Sequence, residues 1–345
     1  MKVLHFLESS RFSGAENVVC QIIAMMKHYP EYEMVYCSRD GQIRQALNER
    51  EVTFVPMNEL SIQAVRRVLK EQKPDIIHAH DMRASFIVAC CCGDVPIISH
   101  IHNSAFNSRI ISIKSIAYWF AAQKAKTIFW VSQSAYEGYC FHKFFRKKSA
   151  VLYNIISINA LYERMQEDNN EYPYDVVFVG RLTYPKNPQR LVQVLAKAVQ
   201  RKHDLRVAIV GHGDLADETL QLCQELEITK NVSFLGFQNN PLKILHDAKL
   251  MLMTSRWEGL PMCALEALAL GVPIVSTPTD GMKELLEDGK NGFLSDADEI
   301  LAERMIQLVT DLRLRNMMSK YAREKSILAN DTDEYCRRLI EAYEK

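Results

Sequence analysis

The sequence predicts an α/β fold of two tandem, doubly wound domains, on three observations. Short apolar runs alternate with amphipathic segments along the whole chain, the pattern of βα units with parallel strands. That pattern breaks once, in a polar stretch at 157–174, and then restarts. At 345 residues, 48% of them hydrophobic and 24% charged, the chain can bury two sizeable cores.

In the first half the expected strands are Val3–Leu7, Met34–Cys37, Thr53–Val55, Asp75–His78, Ile97–His100, Thr127–Trp130 and Ala150–Leu152. Helical periodicity fills the gaps, as in Ala15–Lys27 and Ile62–Glu71. Residues 1–160 form the first expected domain. Ser157–Tyr174, with EDNNE at 167–171 and Pro173 after it, is the expected linker. The second domain, 161–330, carries expected strands Val176–Gly180, Arg206–Val210, Val232–Leu235, Leu250–Met253 and Pro273–Val275, with Leu191–Val199 amphipathic between the first two. The last helix, Thr332–Tyr343, is expected to return to the first domain. Ligands are expected at the carboxyl ends of the strands, facing a cleft between the domains.

Nine cysteines, odd in number and without CxxC spacing, point to a reducing, cytoplasmic compartment. MKVLHFLE turns polar too early for a signal peptide, and no run of about 20 apolar residues is long enough to span a bilayer. The formal charge is zero, but residues 82–160 hold 9 Lys and Arg against 2 Asp and Glu. With aromatics interleaved in GYCFHKFFRKK at 138–148, and Trp119 and Phe120 beside Lys114, Lys124 and Lys126, this half suits an anionic membrane surface. A core helix with charged ends is the plainer alternative. Nucleic acid is not an expected partner, because no nucleic-acid-binding module surrounds the charges.

The densest chemistry lies in TSRWEGLPMCALEALALGVPIVS, 254–276. Glu258 and Glu266 stand eight positions apart, joined by a Gly259-Leu260-Pro261 turn into an Ala/Leu-rich helix that ends at Gly271. Pro261 suits the first turn of a helix. The amides of Met262, Cys263 and Ala264 would then sit unpaired at an end that favours anions. Earlier, VGRLTYPKN places Arg181 and Lys186 just past a strand, where both cations can converge on one diphosphate.

VAIVGHGDLA carries Gly211, Gly213 and Ala216 in a GxGxxA spacing. The following strand ends in Gly236 and Phe237, with no carboxylate for a ribose, so close backbone approach to a phosphate or sugar is a better reading than NAD binding. Gly14, in SSRFSGAENVV, opens a helix after the first strand and could face an anion, or simply serve a tight turn. His78, His80, His100 and His102 alternate as strand residues do and lack helical zinc-ligand spacing, so no metal site is expected. His102 follows a strand end, where it could bond a substrate hydroxyl. Asp296-Ala-Asp298 and Asp331-Thr-Asp333 match a metal-binding DxD, but both lie at helix starts, where Asp is a favoured cap.

Taken together, SRWEGLPMCALEALALGVPIV, VGRLTYPKN, GHGD, FLGF, SGAE, PDIIHAHD and TIFWVSQS resemble the family-four retaining glycosyltransferases, over nearly the whole chain. The resemblance implies a GT-B fold of two Rossmann-like domains, with the acceptor in the first and a nucleotide-sugar donor, expected to be a UDP-sugar, in the second. It implies Arg181 and Lys186 on the diphosphate, Glu258 on the donor sugar, Glu266 on the ribose and His102 as the active-site histidine. Gly14, Gly211, Gly213, Phe237, Gly259, Leu260, Pro261, Met262, Cys263 and Ala264 complete the expected donor-binding set. Transfer to an acceptor hydroxyl is then expected, in envelope, capsular or exopolysaccharide synthesis, with Arg181, Lys186 and the Pro261 helix end serving without a metal or other cofactor; the basic, aromatic segment of the first half adds the expectation of a glycan or lipid-linked acceptor at the inner membrane face.

The chain departs from the family pattern at the hinge, where Asn154-Ile155-Ile156-Ser157 lacks a glycine, and at Asp280-Gly281, where a glycine-rich pair is usual. A non-catalytic nucleotide-sugar-binding protein on the same fold and an NAD-dependent enzyme are the rival readings.

Overall fold

The computed structural model describes residues 1–102 and 106–345. The chain divides into two units, Met1–Ile155 with Asp331–Lys345, and Ile156–Asn330. The first unit holds a seven-stranded sheet of β1 (Lys2–Phe6), β2 (Glu33–Arg39), β3 (Phe54–Met57), β4 (Ile76–His80), β5 (Ile97–Ile101), β6 (Thr127–Trp130) and β7 (Ser149–Val151). Its order is β3-β2-β1-β4-β5-β6-β7, and every pairing is parallel.

Period-two alternation sorts the two faces of this sheet. Leu4, Phe6, Ile77, Ala79, Ile97 and Ile101 join one core with Tyr118, Trp130 and Tyr139. His5, His78, His80 and His100 occupy the other set of positions, and the register pairs His5 with His78 and His80 with His100. The C-terminal helix Thr332–Glu344 packs into this unit. The Tyr32 hydroxyl donates to Glu344, Tyr343 meets His78 Nδ1 at 2.9 Å, and Arg338 donates to the Val151 carbonyl.

The second unit holds β8 (Val176–Val179), β9 (Val207–Val210), β10 (Val232–Gly236), β11 (Leu250–Met253), β12 (Ile274–Ser276) and β13 (Gly292–Leu294). Its order is β10-β9-β8-β11-β12-β13, again parallel throughout. The helix Pro188–Arg201 buries Leu191, Val192, Val194, Leu195 and Ala198 against it, as the amphipathic spacing requires.

The stretch expected to be a linker is different: it contains the helix Ile158–Gln166. Ser157 caps that helix by accepting from the Ala160 amide, and Leu161 and Met165, one turn apart, are its buried face. Of the rest, Tyr162 and Arg164 donate to the Ala269 and Asn239 carbonyls, and the polar run EDNNE that reads as a linker follows the helix. The division between units falls at Ile155/Ile156, and the Ile156 amide donates to Asn330 Oδ1 at 2.7 Å, where the chain leaves the second unit. No helix of the described residues is long and apolar enough to cross a membrane.

Candidate active site

The second unit gathers most of the expected donor residues around two loops, after β8 and after β11. Lys186 ends a short 3-10 turn, Tyr184–Lys186, and its Nζ lies 2.6 Å from Glu258 Oε1. The Ser255 hydroxyl donates to the same oxygen at 2.6 Å. The two charged side chains keep only 17% and 10% exposure. Burial works against the Lys186 ammonium, but the Glu258 carboxylate outweighs it and holds the pKa above its ordinary value, while Arg181 close by pushes the other way. Arg181 and Lys186 thus share one neighbourhood, as two cations meant for one polyanion must.

The loop carrying Lys186 is held from below. Asn187 adopts a left-handed conformation, φ 54°, and its side-chain oxygen accepts from Arg256 Nη2 at 2.9 Å. Thr254 Oγ1 donates to the Asn187 carbonyl, and the Arg256 amide to the Pro185 carbonyl. The Thr277 hydroxyl fixes the Ser255 carbonyl at 2.8 Å. Sequence reasoning missed Ser255, Arg256 and Thr277. Only their nearness to Glu258, for the first two, could have drawn notice.

The helix Met262–Ala269 begins one residue later than expected, with Pro261 as its N-cap rather than its first helical residue. The Ala264 and Leu265 amides both donate to the Pro261 carbonyl. The expected set of three anion-facing amides therefore shrinks to Met262 and Cys263. Burial pushes the Cys263 thiol up to about 12, with Lys186 pulling it down and Glu258 and Glu266 adding to the rise, so it is a neutral thiol. Glu266, also close enough to act on Cys263, lies one turn further along the helix. Gly271, φ +78°, stands just past the helix, as expected of a left-handed terminator.

Close backbone approach explains the glycines. A Cβ on Gly211 would stand 1.9 Å from the Gly180 carbonyl oxygen, and one on Gly213 2.1 Å from that of Leu182. The GxGxxA spacing therefore serves the crossing of the post-β9 loop under the Arg181 loop, which needs no dinucleotide. A Cβ on Gly281 would stand 1.8 Å from the Gly259 oxygen. The start of the helix Asp280–Leu285 thus presses directly on the segment carrying Glu258. Leu260 is buried, and Phe237, just past β10, is 58% exposed.

Gly14 and His102 belong to the first unit. Gly14 opens the helix Gly14–Met26, whose first turn already carries a buried acid, Glu16, bonded by the Ser13 hydroxyl at 2.5 Å. That carboxylate complements the helix end itself, so the anion reading of Gly14 gains no support. His102 is buried just past β5, its amide donating to Asp81 Oδ1 at 2.9 Å; residues 103–105 lie outside the described residues.

The DxD matches are occupied by structure. Arg190 holds Asp298 at 2.7 Å and Asp296 at 3.0 Å, and Asp331 caps the last helix by accepting from the Glu334 amide. Two groups of histidines, His5 with His78 and His80, and His80 with His100 and His102, do bring ring nitrogens within 4.8 Å of one another. The sequence expectation of no metal site, drawn from the lack of helical spacing, had not foreseen that convergence: it comes from sheet register, which sets His5 beside His78 and His80 beside His100.

Residues 13–160 match the model of the family described as Glycosyltransferase Family 4, and residues 162–325 that of Glycosyl transferases group 1. The chain belongs to this family, and it is a glycosyltransferase with the GT-B fold. It is 23% identical, over 95% of its length and 92% of the relative's, to the UDP-Gal:alpha-D-GlcNAc-diphosphoundecaprenol alpha-1,3-galactosyltransferase of Escherichia coli. It is 27% identical, over 79% of its length and 75% of the relative's, to an uncharacterized glycosyltransferase of Methanocaldococcus jannaschii. Among solved structures, Anabaena HepE in complex with UDP-glucose superposes with a TM-score of 0.85 at 22% identity, covering 99% of this chain and 98% of that one.

Proposed function

We propose that this protein transfers a sugar from a UDP-sugar to an acceptor hydroxyl with retention at the anomeric carbon, in the synthesis of an envelope, capsular or exopolysaccharide glycan. The observation that carries the reading is the half-buried Lys186–Glu258 pair, with Arg181 beside it and a helix N-terminus at Met262 and Cys263. The difficult event is departure of an anionic diphosphate, and preorganised cations and amides stabilise that charge best. Arg181, Lys186 and the two amides supply it without a metal. Glu258 then holds the donor sugar, Glu266 the ribose, and exposed Phe237 offers an aromatic face to the donor. His102, in the first unit, takes a hydrogen bond from a substrate hydroxyl. The leaving phosphate accepts the acceptor's proton, so neither glutamate acts as a nucleophile.

The acceptor reading is a lipid-linked or membrane-borne glycan, in line with the diphosphoundecaprenol in the name of the Escherichia coli relative. The first unit supports it with one surface. On the helix Ile113–Lys124, Tyr118, Ala121 and Ala122 face inward, while Ile113 is 88% exposed and Ile116, Trp119 and Phe120 are exposed beside it. The turn His142–Lys148 packs against that helix through Trp119 and Phe145, and adds Phe144, 75% exposed, with exposed Lys143, Arg146 and Lys147. Apolar side chains ringed by cations fit an anionic lipid interface, at about 1 kcal/mol per cation near the surface. Lys148, counted among these cations from sequence, instead donates to the Gln123 and Ala125 carbonyls and closes the helix end.

Incubation with a panel of UDP-sugars, following UDP release, tests the chemistry. Turnover is expected to survive EDTA and to fall in Glu258→Ala and Lys186→Ala; strict manganese dependence, or wild-type behaviour of both variants, would overturn the reading. Co-sedimentation with phosphatidylglycerol vesicles is expected to drop in Ile113→Glu and in Lys143→Glu/Lys147→Glu, and indifference to both changes would remove the membrane.

A further inference from the structure

β1, β4 and the end of β5 place five buried histidines on one face of the first sheet. Three of them touch through their ring nitrogens: His5 Nδ1 lies 3.0 Å from His80 Nε2, and His80 Nδ1 lies 2.8 Å from His102 Nε2. The ring centres of these pairs stand 5.3 and 5.1 Å apart, with the planes 23° from parallel in each. In both pairs the centre separation exceeds the N···N distance by 2.3 Å, the sum of two ring radii. The nitrogens therefore point at each other along the line of centres, and each contact has the geometry of a straight N–H···N bond. His78 and His100 lie differently, with centres 4.4 Å from His80 and 4.5 Å from His102, as stacked neighbours. A tetrahedral cation would need lone pairs that converge on a point off these lines, so the geometry is that of shared protons.

A neutral imidazole has one N–H and one bare nitrogen, so the chain must run in one direction throughout. Its far end fixes which. His5 Nε2 is 3.5 Å from Met34 Sδ, and a thioether accepts but never donates. His5 Nε2–H thus points at Met34, His80 Nε2–H donates to His5, and His102 Nε2–H donates to His80. His102 Nδ1, buried and without a hydrogen-bond partner among the described residues, is left as the bare nitrogen. Burial keeps the end rings neutral, holding His5 and His102 down to about 3.

We propose that His5 and His80 are positioning residues that lock His102 in its Nε2–H tautomer, so that Nδ1 accepts a hydrogen bond from a substrate hydroxyl and cannot donate one. The inference rests on the reading that His102 meets substrate, and the two are separable by experiment. Selective 15N-histidine labelling of the full chain, read by two-bond proton–nitrogen correlation at neutral pH, should show Nε2–H patterns for His5, His80 and His102. His80→Asn, whose amide oxygen can still accept from His102, should preserve the His102 pattern and most of the UDP release from UDP-glucose. His80→Phe should leave His102 in mixed tautomers and lower kcat about tenfold or more, with the donor KM unchanged. A protonated Nδ1 on His102 in the native protein, an unchanged His102 pattern in His80→Phe, or a stoichiometric metal found by elemental analysis would overturn the relay. The native spectrum decides alone if His80→Phe does not fold. Full turnover in His102→Ala beside the expected native spectrum would instead remove His102 from the substrate and leave the tautomer lock standing.

Discussion

Breaking the Lys186–Glu258 pair from one side is expected to cost more than removing it whole. Loss of one partner of a fully buried ion pair costs about 3–5 kcal/mol, because the other charge is stranded. Here 17% and 10% exposure lets water recover part of that, and Ser255 still holds the Glu258 carboxylate in Lys186→Met. Each of Lys186→Met and Glu258→Gln should therefore cost about 2–3 kcal/mol, and the double variant no more than either, a coupling of about 2 kcal/mol. Urea unfolding at pH 7.5, run as a double-mutant cycle, measures it. Additivity to within about 0.5 kcal/mol would refute the pairing. The pH arm has a definite sign. The folded pKa of Lys186 is raised above 10.5, so the pair's contribution is complete below that value and lost as pH climbs through the raised one. In Glu258→Gln burial and Arg181 lower it, and of the groups that raised it only Cys263 is left. The stability gap between wild type and Glu258→Gln should narrow above about pH 10.5.

Acid should attack the first unit. The buried histidines have pKa values far below 6.5, His5 and His102 near 3, so their neutral burial stabilises the fold above 6.5 and is lost as pH falls from there towards 3. Each contributes a slope of up to about 1.4 kcal/mol per pH unit, and calorimetry should show a melting temperature falling steeply below pH 6. Glycine substitutions should separate collision from backbone strain. Gly281→Ala drives a methyl into the Gly259 carbonyl and should cost more than about 3 kcal/mol and abolish UDP-sugar turnover, whereas Gly236→Ala, at φ +64° in open space, should cost about 1–2 kcal/mol. Equal melting temperatures for the two would contradict the close approach.

Most of the fold could be read because its strands are buried on both faces and appear as unbroken apolar runs such as VVFV and LMLM. β13, only Gly292–Leu294, is too short for any periodicity to register, and it was not foreseen. The helix Ile158–Gln166 was hidden because two buried residues in nine leave its composition looking like a linker. At the site, Lys186, Glu258 and the helix after Pro261 stood out by residue type. Their meeting across 72 positions is a property of neighbouring β8 and β11, which no spacing encodes. The histidine alternation at 78/80 and 100/102 was visible, but His5 joins only through the β1–β4 register, and straight bonds differ from stacking only in ring orientation.

The helix Thr332–Glu344 completes the first unit, yet it is separated from the rest of that unit by all of Ile156–Asn330. During synthesis, His78 waits for Tyr343, Tyr32 for Glu344 and the Val151 carbonyl for Arg338 until the whole second unit has been made. The nascent first unit therefore lacks these three contacts while the second unit is being made. The first unit can thus be completed only after the second has been synthesised, and a chain cut short by fifteen residues would leave its earliest part unfinished.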